Sequence, residues 1–186
     1  MRIVLIGMSG SGKTTFGRFI SNLTEMPFID TDEQISKKYG DISTIFNTAG
    51  EKVFRDFEEH EVMLACEQET CVIATGGGVV TNQNAMKRLK QGGLVVYLYC
   101  DADFLFKRLE NDDSRPLLMG EDKKQKIEQM LLKRGNLYLE YADIVLNEGG
   151  ILQSRNLLDS AQEIQLGALY LEFMKAFEKR VYSKYT

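Results

Sequence analysis

The chain has 186 residues, a length that suits one folded domain with a sizeable hydrophobic core. Its formal net charge of −4 argues against nucleic acid as the main partner, because binding a polyanion normally requires a basic face. No apolar run approaches membrane-spanning length, and Met1 is followed by a strand pattern rather than a signal peptide. We therefore expect a cytoplasmic protein that binds neither nucleic acid nor a membrane.

Short apolar runs predict five strands, at 3–6, 26–29, 71–74, 94–98 and 144–146. Helical spacing of apolar residues lies between them, at 14–24, 32–39, 42–47, 51–68, 82–91, 102–110 and 122–141. Strands that alternate with helices imply an α/β domain, with a parallel sheet covered on both faces. Ligands then gather at the carboxyl ends of the strands, where the polar candidates described below are also found.

The first strand leads into Gly7 to Thr14, which has the spacing Gly-x4-Gly-Lys-Thr and is followed by a helical pattern. Strand, loop and helix in this order predict a phosphate-binding loop, or P-loop. Glycines let backbone N–H groups turn inward around the phosphates, and the helix start adds partial positive charge. Lys13 is then expected to reach the β- and γ-phosphates and Thr14 to ligate Mg²⁺.

The second strand ends in Asp30, Thr31 and Asp32. Two carboxylates one residue apart could divide their roles, with one near a metal and the other facing a hydroxyl-bearing substrate. All three residue types are also good N-caps for the helix that follows, and capping alone would explain them. The nearby P-loop favours the functional interpretation, because a kinase needs a carboxylate at this position.

Two further candidates lie in the middle of the chain. Arg55 sits in a helical pattern, where pairing with Glu51 or Glu59 would be the ordinary surface arrangement. Gly76, Gly77 and Gly78 follow the third strand, and three glycines there suggest that a ligand approaches the backbone closely. A flexible turn is the alternative, but a turn rarely needs three glycines.

The polar segment 111–122 lies between two helical patterns and is predicted to be a lid over the phosphates. Arg115 in this segment could add positive charge as the site closes, or be a solvated loop residue. Arg134, within a later helix, resembles a surface residue when judged alone. Arg108 ends the preceding helix and could either interact with the helix dipole or stack on adenine.

Together these features make the chain resemble the shikimate kinases, P-loop enzymes of aromatic biosynthesis, over about residues 1–147. Six motifs in order carry the resemblance: Gly7-x4-Gly12-Lys13-Thr14, Asp30-Thr31-Asp32, Phe54-Arg55-x2-Glu58, Gly76-Gly77-Gly78, Arg115-Pro116-Leu117-Leu118 and Arg134-x2-Leu137-Tyr138. The resemblance implies a five-stranded parallel sheet of order 2-3-1-4-5. It also implies transfer of phosphate from ATP, with Mg²⁺, to the 3-hydroxyl of shikimate.

The resemblance also implies roles for individual residues. Shikimate would be held by Asp32, Arg55, Gly76, Gly77, Gly78 and Arg134. The nucleotide would be contacted by Gly10, Ser11, Gly12, Lys13, Thr14, Thr15, Arg108 and Arg115. Thr14 and Asp30 would bind the metal, directly or through water. Lys13, Asp32 and Arg115 would act in catalysis. The family commonly has proline before the Leu-Tyr pair, whereas this chain has Asn136, which weakens the assignment of Arg134.

The tail beyond residue 149 is longer than the family usually needs. We divide the chain into a P-loop domain at 1–149 and a helical extension at 150–186. Within 156–180, five apolar residues share one helical face: Leu166, Leu169, Tyr170, Phe173 and Phe177. A helix packed on its own domain, and hence a monomer, is the expectation, with self-association through this helix as the alternative.

Two other functions compete with this one. A gluconate or nucleoside monophosphate kinase shares the fold but is not expected to combine Arg55, three glycines and Arg134. A regulator or assembly protein that binds nucleotide without transferring phosphate would keep the P-loop and use the tail helix as its contact surface. Four retained residues argue against it: Asp32, Arg55, Arg115 and Arg134. Cys66, Cys71 and Cys100 are predicted to be reduced core residues, because they are odd in number and two lie in or beside apolar runs.

Overall fold

The computed structural model describes residues 1–112, 116–118, 120, 122–155, 157–158 and 160–183. Arg115, and with it part of the predicted lid at 111–122, lies outside these residues. Among the helices of the described ranges, none combines the length and apolar character needed to cross a membrane.

The sheet confirms the predicted α/β class. The described residues contribute five strands: β1 (Arg2–Ile6), β2 (Phe28–Asp30), β3 (Cys71–Ala74), β4 (Gly93–Tyr99) and β5 (Ile144–Asn147). All neighbouring pairs are parallel, in the order β2-β3-β1-β4-β5. Every residue of the central β1 is buried, because helices cover both faces of the sheet. Burial on both faces explains the continuous apolar sequences of β1, β3 and β4.

Nine α-helices are present in the described part of the chain. They are α1 (Lys13–Thr24), α2 (Thr31–Tyr39), α3 (Ile42–Thr48), α4 (Gly50–Ala65), α5 (Gln83–Lys90), α6 (Ala102–Leu109), α7 (Lys123–Tyr141), α8 (Glu148–Ser154) and α9 (Gln162–Tyr182). The first seven lie where the apolar spacing predicts them, although α4 ends at Ala65 rather than at 68. Short 3₁₀ turns occur at Val79–Thr81 and Pro116–Leu118.

Asp and Asn side chains mark where several helices begin. A carboxylate or amide oxygen accepts a hydrogen bond from a first-turn N–H in α2, α3, α5, α6 and α8; the caps are Asp30, Asp41, Asn82, Asp101 and Asn147. Such caps satisfy N–H groups that have no partner within the helix. Two of these caps, Asp30 and Asn147, are the last residues of β2 and β5, so they place the starts of α2 and α8 at the carboxyl edge of the sheet.

The tail contributes two helices rather than one. The short α8, which apolar spacing did not predict, begins at Glu148. The long α9 packs its apolar face on α1 and β5, with Leu169 and Phe173 buried there. Phe173 contacts Phe16 edge to face, with ring centroids 6.5 Å apart. A helix packed on its own domain is therefore what the structure shows for residues 162–182.

Two glycines in helices give a first testable contrast. A Cβ on Gly17 of α1 would lie 2.5 Å from Cε2 of Phe28 and 3.1 Å from Cδ1 of Leu5, whereas one on Gly167 of α9 would meet nothing within 4 Å. We expect Gly17→Ala to lower the free energy of unfolding by about 1–3 kcal/mol through overpacking. Gly167→Ala should raise it by about 0.5–1 kcal/mol, because alanine favours a helix. Urea unfolding of both variants measures these changes, provided that the m-value equals that of the wild type. A change of the same sign in both free energies of unfolding would contradict the prediction.

Candidate active site

The P-loop joins β1 to α1 and has the backbone that its glycines allow. Gly10 and Gly12 adopt left-handed conformations, with φ of 81° and 80°. Gly7 has φ of 148°, and a Cβ there would lie 2.6 Å from the carbonyl oxygen of Leu98. Helix α1 begins directly after Gly12, so its free N–H groups face the loop. The loop therefore offers an anion-binding cradle at a helix N-terminus.

Lys13 lies within this cradle. Its ammonium group donates hydrogen bonds to the carbonyl oxygens of Gly7, at 2.9 Å, and Met8, at 2.8 Å. The residue is buried, so its positive charge is concentrated at the loop rather than screened by water. Phosphate oxygens entering the cradle would meet a cation that the backbone already holds in position.

Asp30 both caps α2 and contacts the P-loop helix, each with a different oxygen. Its Oδ1 accepts from the N–H groups of Asp32, at 3.0 Å, and Glu33, at 3.2 Å. Its Oδ2 accepts from the hydroxyl of Thr14 at 2.6 Å. The capping and functional interpretations of Asp30 are therefore compatible.

The Thr14 and Asp30 pair fits a magnesium ion. A hydroxyl and a carboxylate oxygen are hard ligands, and Mg²⁺ usually takes only one or two protein ligands together with water and phosphate. Within the described ranges, no group of three or more His, Cys, Asp or Glu residues could hold a metal by itself. A Mg²⁺ ion would therefore be shared with nucleotide phosphates.

A cavity of about 830 Å³ lies beside the P-loop and is here called the nucleotide cavity. Its walls combine the loop, the residues after β2, the end of α6 and the start of α8, and include Ser9, Gly10, Gly12, Lys13, Thr14, Thr15, Asp30, Asp32, Arg108 and Glu148. Ser11 is fully buried within the loop. The structure thus brings the predicted P-loop residues, both aspartates and Arg108 to one place.

A second cavity, of about 90 Å³, adjoins the first and is here called the acceptor cavity. It brings together Asp32, Arg55, Glu58, Gly76, Gly77, Gly78 and Arg134, with Phe46, Phe54 and Met130 as apolar walls. Ser9, Asp32 and Ile42 line both cavities. Asp32 therefore stands where a molecule in the acceptor cavity would face the P-loop.

Arg55 keeps its helical ion pairs while lining the acceptor cavity. Its guanidinium donates to Glu51, at 2.9 Å, and to Glu58, also at 2.9 Å. A Cβ on Gly78 would collide with this guanidinium, and one on Gly76 would lie 2.7 Å from Oδ1 of Asp32. These close approaches by cavity side chains explain two of the three glycines, whereas the sequence suggested only approach by a ligand.

Glu58 is a site residue whose individual role the sequence did not reveal. It lies beside Glu59 and Glu61 on α4, yet its side chain is only 1% exposed. Burial raises the pKa of its carboxyl group above the ordinary range, although the nearby Arg55 guanidinium acts in the opposite direction. A pKa raised in this way means that ionised Glu58 is costly to keep in the folded protein.

The raised pKa of Glu58 predicts how stability depends on pH. A carboxyl group with a higher pKa in the folded state contributes stability below its unfolded pKa of about 4.5, and this contribution is lost as pH rises through the folded pKa. We expect the free energy of unfolding of the wild type to fall relative to Glu58→Gln as pH rises above 4.5. Urea unfolding of both proteins from pH 4 to 8 measures this change. A difference in free energy of unfolding that stays constant over this pH range would contradict the prediction.

Arg134 lines the acceptor cavity from α7. Its Nη1 donates to the carbonyl oxygen of Gly77 at 3.4 Å, and the hydroxyl of Tyr138, one turn later, donates to the same oxygen. Helix α7 runs without interruption through Asn136, so the missing proline does not move Arg134 away from the cavity. Burial, the largest effect, raises the pKa of Tyr138, so its hydroxyl stays protonated as a donor.

Arg108 is held at the edge of the nucleotide cavity by a partner that the sequence analysis missed. Its Nη1 and Nη2 donate to the two carboxylate oxygens of Glu148, at 2.9 Å and 2.7 Å. Nη1 also reaches the carbonyl oxygen of Gly10, at 3.3 Å, and the guanidinium lies 4.4 Å from the ring centroid of Phe104. Glu148 begins the unpredicted α8, so no pattern pointed to it.

The described part of the predicted lid contributes apolar walls. Leu117 and Leu118 line the acceptor cavity. At the end of the segment, the Lys123 ammonium donates to the carbonyl oxygens of Leu109, at 2.9 Å, Glu110, at 3.1 Å, and Asp112, at 3.0 Å. The segment is thus tied back to the end of α6, while the predicted role of Arg115 stays a prediction.

A P-loop, an adjoining pocket lined by two arginines and two acidic residues, and a sheet of order 2-3-1-4-5 define the class of P-loop small-molecule kinases. The family model described as shikimate kinase matches residues 9–165. A shikimate kinase of Thermodesulfovibrio yellowstonii is 42% identical over 150 residues, which are 80% of this chain and 86% of that protein. Another, from Caldicellulosiruptor bescii, is 42% identical over 137 residues, 73% of this chain and 80% of that one.

The solved structures agree with the sequence relatives. The structure of shikimate kinase from Acinetobacter baumannii in complex with shikimate has a TM-score of 0.83 and 32% identity, covering 96% of this chain and 93% of that one. The chain belongs to the shikimate kinase family. It is accordingly a kinase, with ATP as co-substrate.

Proposed function

We propose that this enzyme transfers the γ-phosphoryl group of ATP to the 3-hydroxyl of shikimate, giving shikimate 3-phosphate and ADP. The single observation that carries the proposal is the acceptor cavity, where Arg55, Arg134 and Asp32 converge beside the P-loop. Membership of the shikimate kinase family supports it, as does the relative from Acinetobacter baumannii, whose structure contains shikimate.

The chemistry of the acceptor cavity suits a small hydroxylated carboxylic acid. Arg55 and Arg134 supply planar guanidinium groups, which pair well with a carboxylate. The carboxylate of Asp32 provides an acceptor for ring hydroxyls. The apolar side chains of Phe46 and Phe54 would cover the carbon ring and exclude water.

Asp32 is proposed to orient the reacting hydroxyl. It lines both cavities, so a hydroxyl bonded to its carboxylate would point from the acceptor cavity towards the γ-phosphate. The transferring phosphoryl group is loosely bonded in the transition state, so alignment and charge neutralisation contribute more than a strong base. Asp32 would therefore position the nucleophile first and accept its proton late.

The P-loop is proposed to hold the triphosphate through the backbone N–H groups of residues 10–15, which include Gly10, Ser11, Gly12 and Thr15. Lys13 and Arg115 would neutralise charge that develops on the phosphoryl oxygens. Thr14 and Asp30 would hold Mg²⁺, Asp30 directly or through water. When bound, the ion would supply positive charge that offsets the negative charge of the phosphates.

The division of the chain and its setting are part of the proposal. Residues 1–149 form the P-loop kinase domain and 150–186 a helical extension. The burial of Leu169 and Phe173 against α1 and β5 supports a monomer, because the apolar face of α9 is then used within the chain. We propose a cytoplasmic location, as expected for a biosynthetic kinase.

A coupled assay of ADP release tests the proposal. The purified protein with ATP and Mg²⁺ is expected to release ADP with shikimate. Gluconate and nucleoside monophosphates should give less than about 1% of that rate, because neither an open-chain polyol nor a nucleotide places a hydroxyl as the carboxylated ring of shikimate does. Mass spectrometry should identify shikimate 3-phosphate. Turnover of gluconate or a nucleotide at a comparable rate, or binding of ATP without any turnover, would overturn it.

A further inference from the structure

The first two turns of α9 form part of the wall of the nucleotide cavity. Gln162, Gln165, Leu166 and Leu169 line it, together with residues of the P-loop and α6. The apolar face of α9 predicted only packing on its own domain or, as the alternative, self-association. Its polar residues near the start of the helix are thus placed at a ligand cavity rather than on a remote surface.

These residues lie at the end of the nucleotide cavity where a nucleobase would bind. The P-loop fixes the phosphates, and the side shared with the acceptor cavity, at Asp32, must face the γ-phosphate. A nucleobase therefore lies away from Asp32. Arg108 lies on α6, which follows β4, and α9 packs on β5, so both lie on the opposite side of β1 from Asp32, which follows β2. The guanidinium of Arg108 and the apolar side chains of Leu166 and Leu169 suit the faces of a planar ring.

The amide of Gln165 has a fixed orientation. Its Nε2 donates to the carbonyl oxygens of Leu157 and Leu158, both at 2.9 Å. Carbonyl oxygens can only accept, so the two hydrogens of the NH₂ group must face them, and the flipped amide would bring three oxygens together. Because both N–H donors are used in this way, Oε1 is the remaining polar atom of the amide that a ligand could contact. It can only accept a hydrogen bond.

We propose that Gln165 determines the choice of nucleobase, with Oε1 accepting a hydrogen bond from the 6-amino group of adenine. Guanine presents a 6-oxo group, which cannot donate and would face Oε1 with its own lone pairs. The inference deepens the proposed function, because it rests on a nucleoside triphosphate occupying the nucleotide cavity. It does not depend on which acceptor the enzyme phosphorylates.

The first arm of the test uses the unchanged protein and altered nucleotides. Dissociation constants of ATP, purine riboside triphosphate and N6,N6-dimethyl-ATP are measured calorimetrically, with Mg²⁺ and without shikimate. Purine riboside triphosphate lacks the amino group, and the dimethyl analogue lacks its N–H donors. We expect both analogues to bind about tenfold more weakly than ATP, since one hydrogen bond is lost and Oε1 is left unsatisfied. Equal binding of ATP and purine riboside triphosphate would overturn the proposal.

The second arm changes the protein. Gln165→Leu and Gln165→Met should bind ATP and purine riboside triphosphate within about twofold of each other, because the acceptor is gone. Gln162→Leu, in the same wall, should keep the tenfold preference. A merely structural role for Gln165 would weaken both nucleotides alike and keep their ratio, which would overturn the proposal even if the variants are less stable. A protein that binds ATP selectively yet does not phosphorylate shikimate would overturn the proposed function alone.

Discussion

Asp32→Asn is expected to lower kcat with shikimate by about 10²- to 10⁴-fold, the range typical of a positioned group that takes part in proton transfer. Asparagine keeps the shape of the side chain and the N–H of residue 32 that bonds to Asp30, so the cap of α2 survives. What it removes is the negative charge at the junction of the two cavities. The Kd of ATP should change little, because the phosphates are bound by the P-loop.

The matched control is Asp56→Asn, which makes the same chemical change beside Arg55 but on the exposed face of α4. Its kcat should equal that of the wild type within about twofold, since exposed charges away from a site contribute little. Steady-state ADP release and calorimetric binding of ATP check both variants. An Asp32→Asn enzyme with unchanged kcat, or one that no longer binds ATP, would refute the role given to Asp32.

The sequence was sufficient for most of the fold because local signals and tertiary packing agree. Continuous apolar runs predicted each strand, and burial of β1, β3 and β4 on both faces is the reason those three runs lack alternation. In the edge strand β5, buried and exposed residues alternate. The strand order did not follow from periodicity, which carries no information about neighbours, but from the resemblance. Helix α8 was missed because seven residues with two glycines, Gly149 and Gly150, leave little apolar spacing to detect.

The candidate site was predicted less completely than the fold, because the residues that the sequence did not reveal are distinguished by their burial. Glu58 and Glu148 look like ordinary charges in the sequence, and only the packing of α4 against Gly76, and of α8 against Arg108, removes them from water. A carboxylate beside an arginine along a helix usually lies on the surface. Tertiary context turns the same pair into part of a binding site, and no local pattern distinguishes the two cases.

The resemblance also left open what single atoms do. For Asp30, capping and metal binding were alternatives in the sequence, yet its two oxygens contact different groups in the structure. No sequence pattern identified Gln165 as a site residue, because its proposed role depends on two carbonyl oxygens in the segment before α9. Assignments of this kind need coordinates, since they turn on which atom of a side chain is already occupied.

Arg134→Ala is expected to lower kcat/KM for shikimate by about 10²- to 10⁴-fold. A hydrogen bond to a charged group is worth about 1.5–3 kcal/mol, and a guanidinium can make two such bonds to one carboxylate. Arg134→Lys should lose about 10- to 10²-fold, because it keeps the charge but not the planar fork. The loss should appear mainly in KM for shikimate, while the Kd of ATP stays within about twofold of the wild type.

Lys133→Ala is the control for both Arg134 variants, because it removes a positive charge from the neighbouring, exposed position of α7 and should leave kcat/KM unchanged. Arg134 also contacts the carbonyl oxygen of Gly77, so part of any loss could come from movement of the helix. Tyr138 keeps its own bond to that oxygen in every variant, which holds α7 in place. The free energy of unfolding of Arg134→Ala in urea should therefore be close to that of the wild type. A loss of activity that scales with a loss of stability would show that Arg134 does not bind the acceptor. Equal losses of activity in Arg134→Ala and Lys133→Ala would show the same.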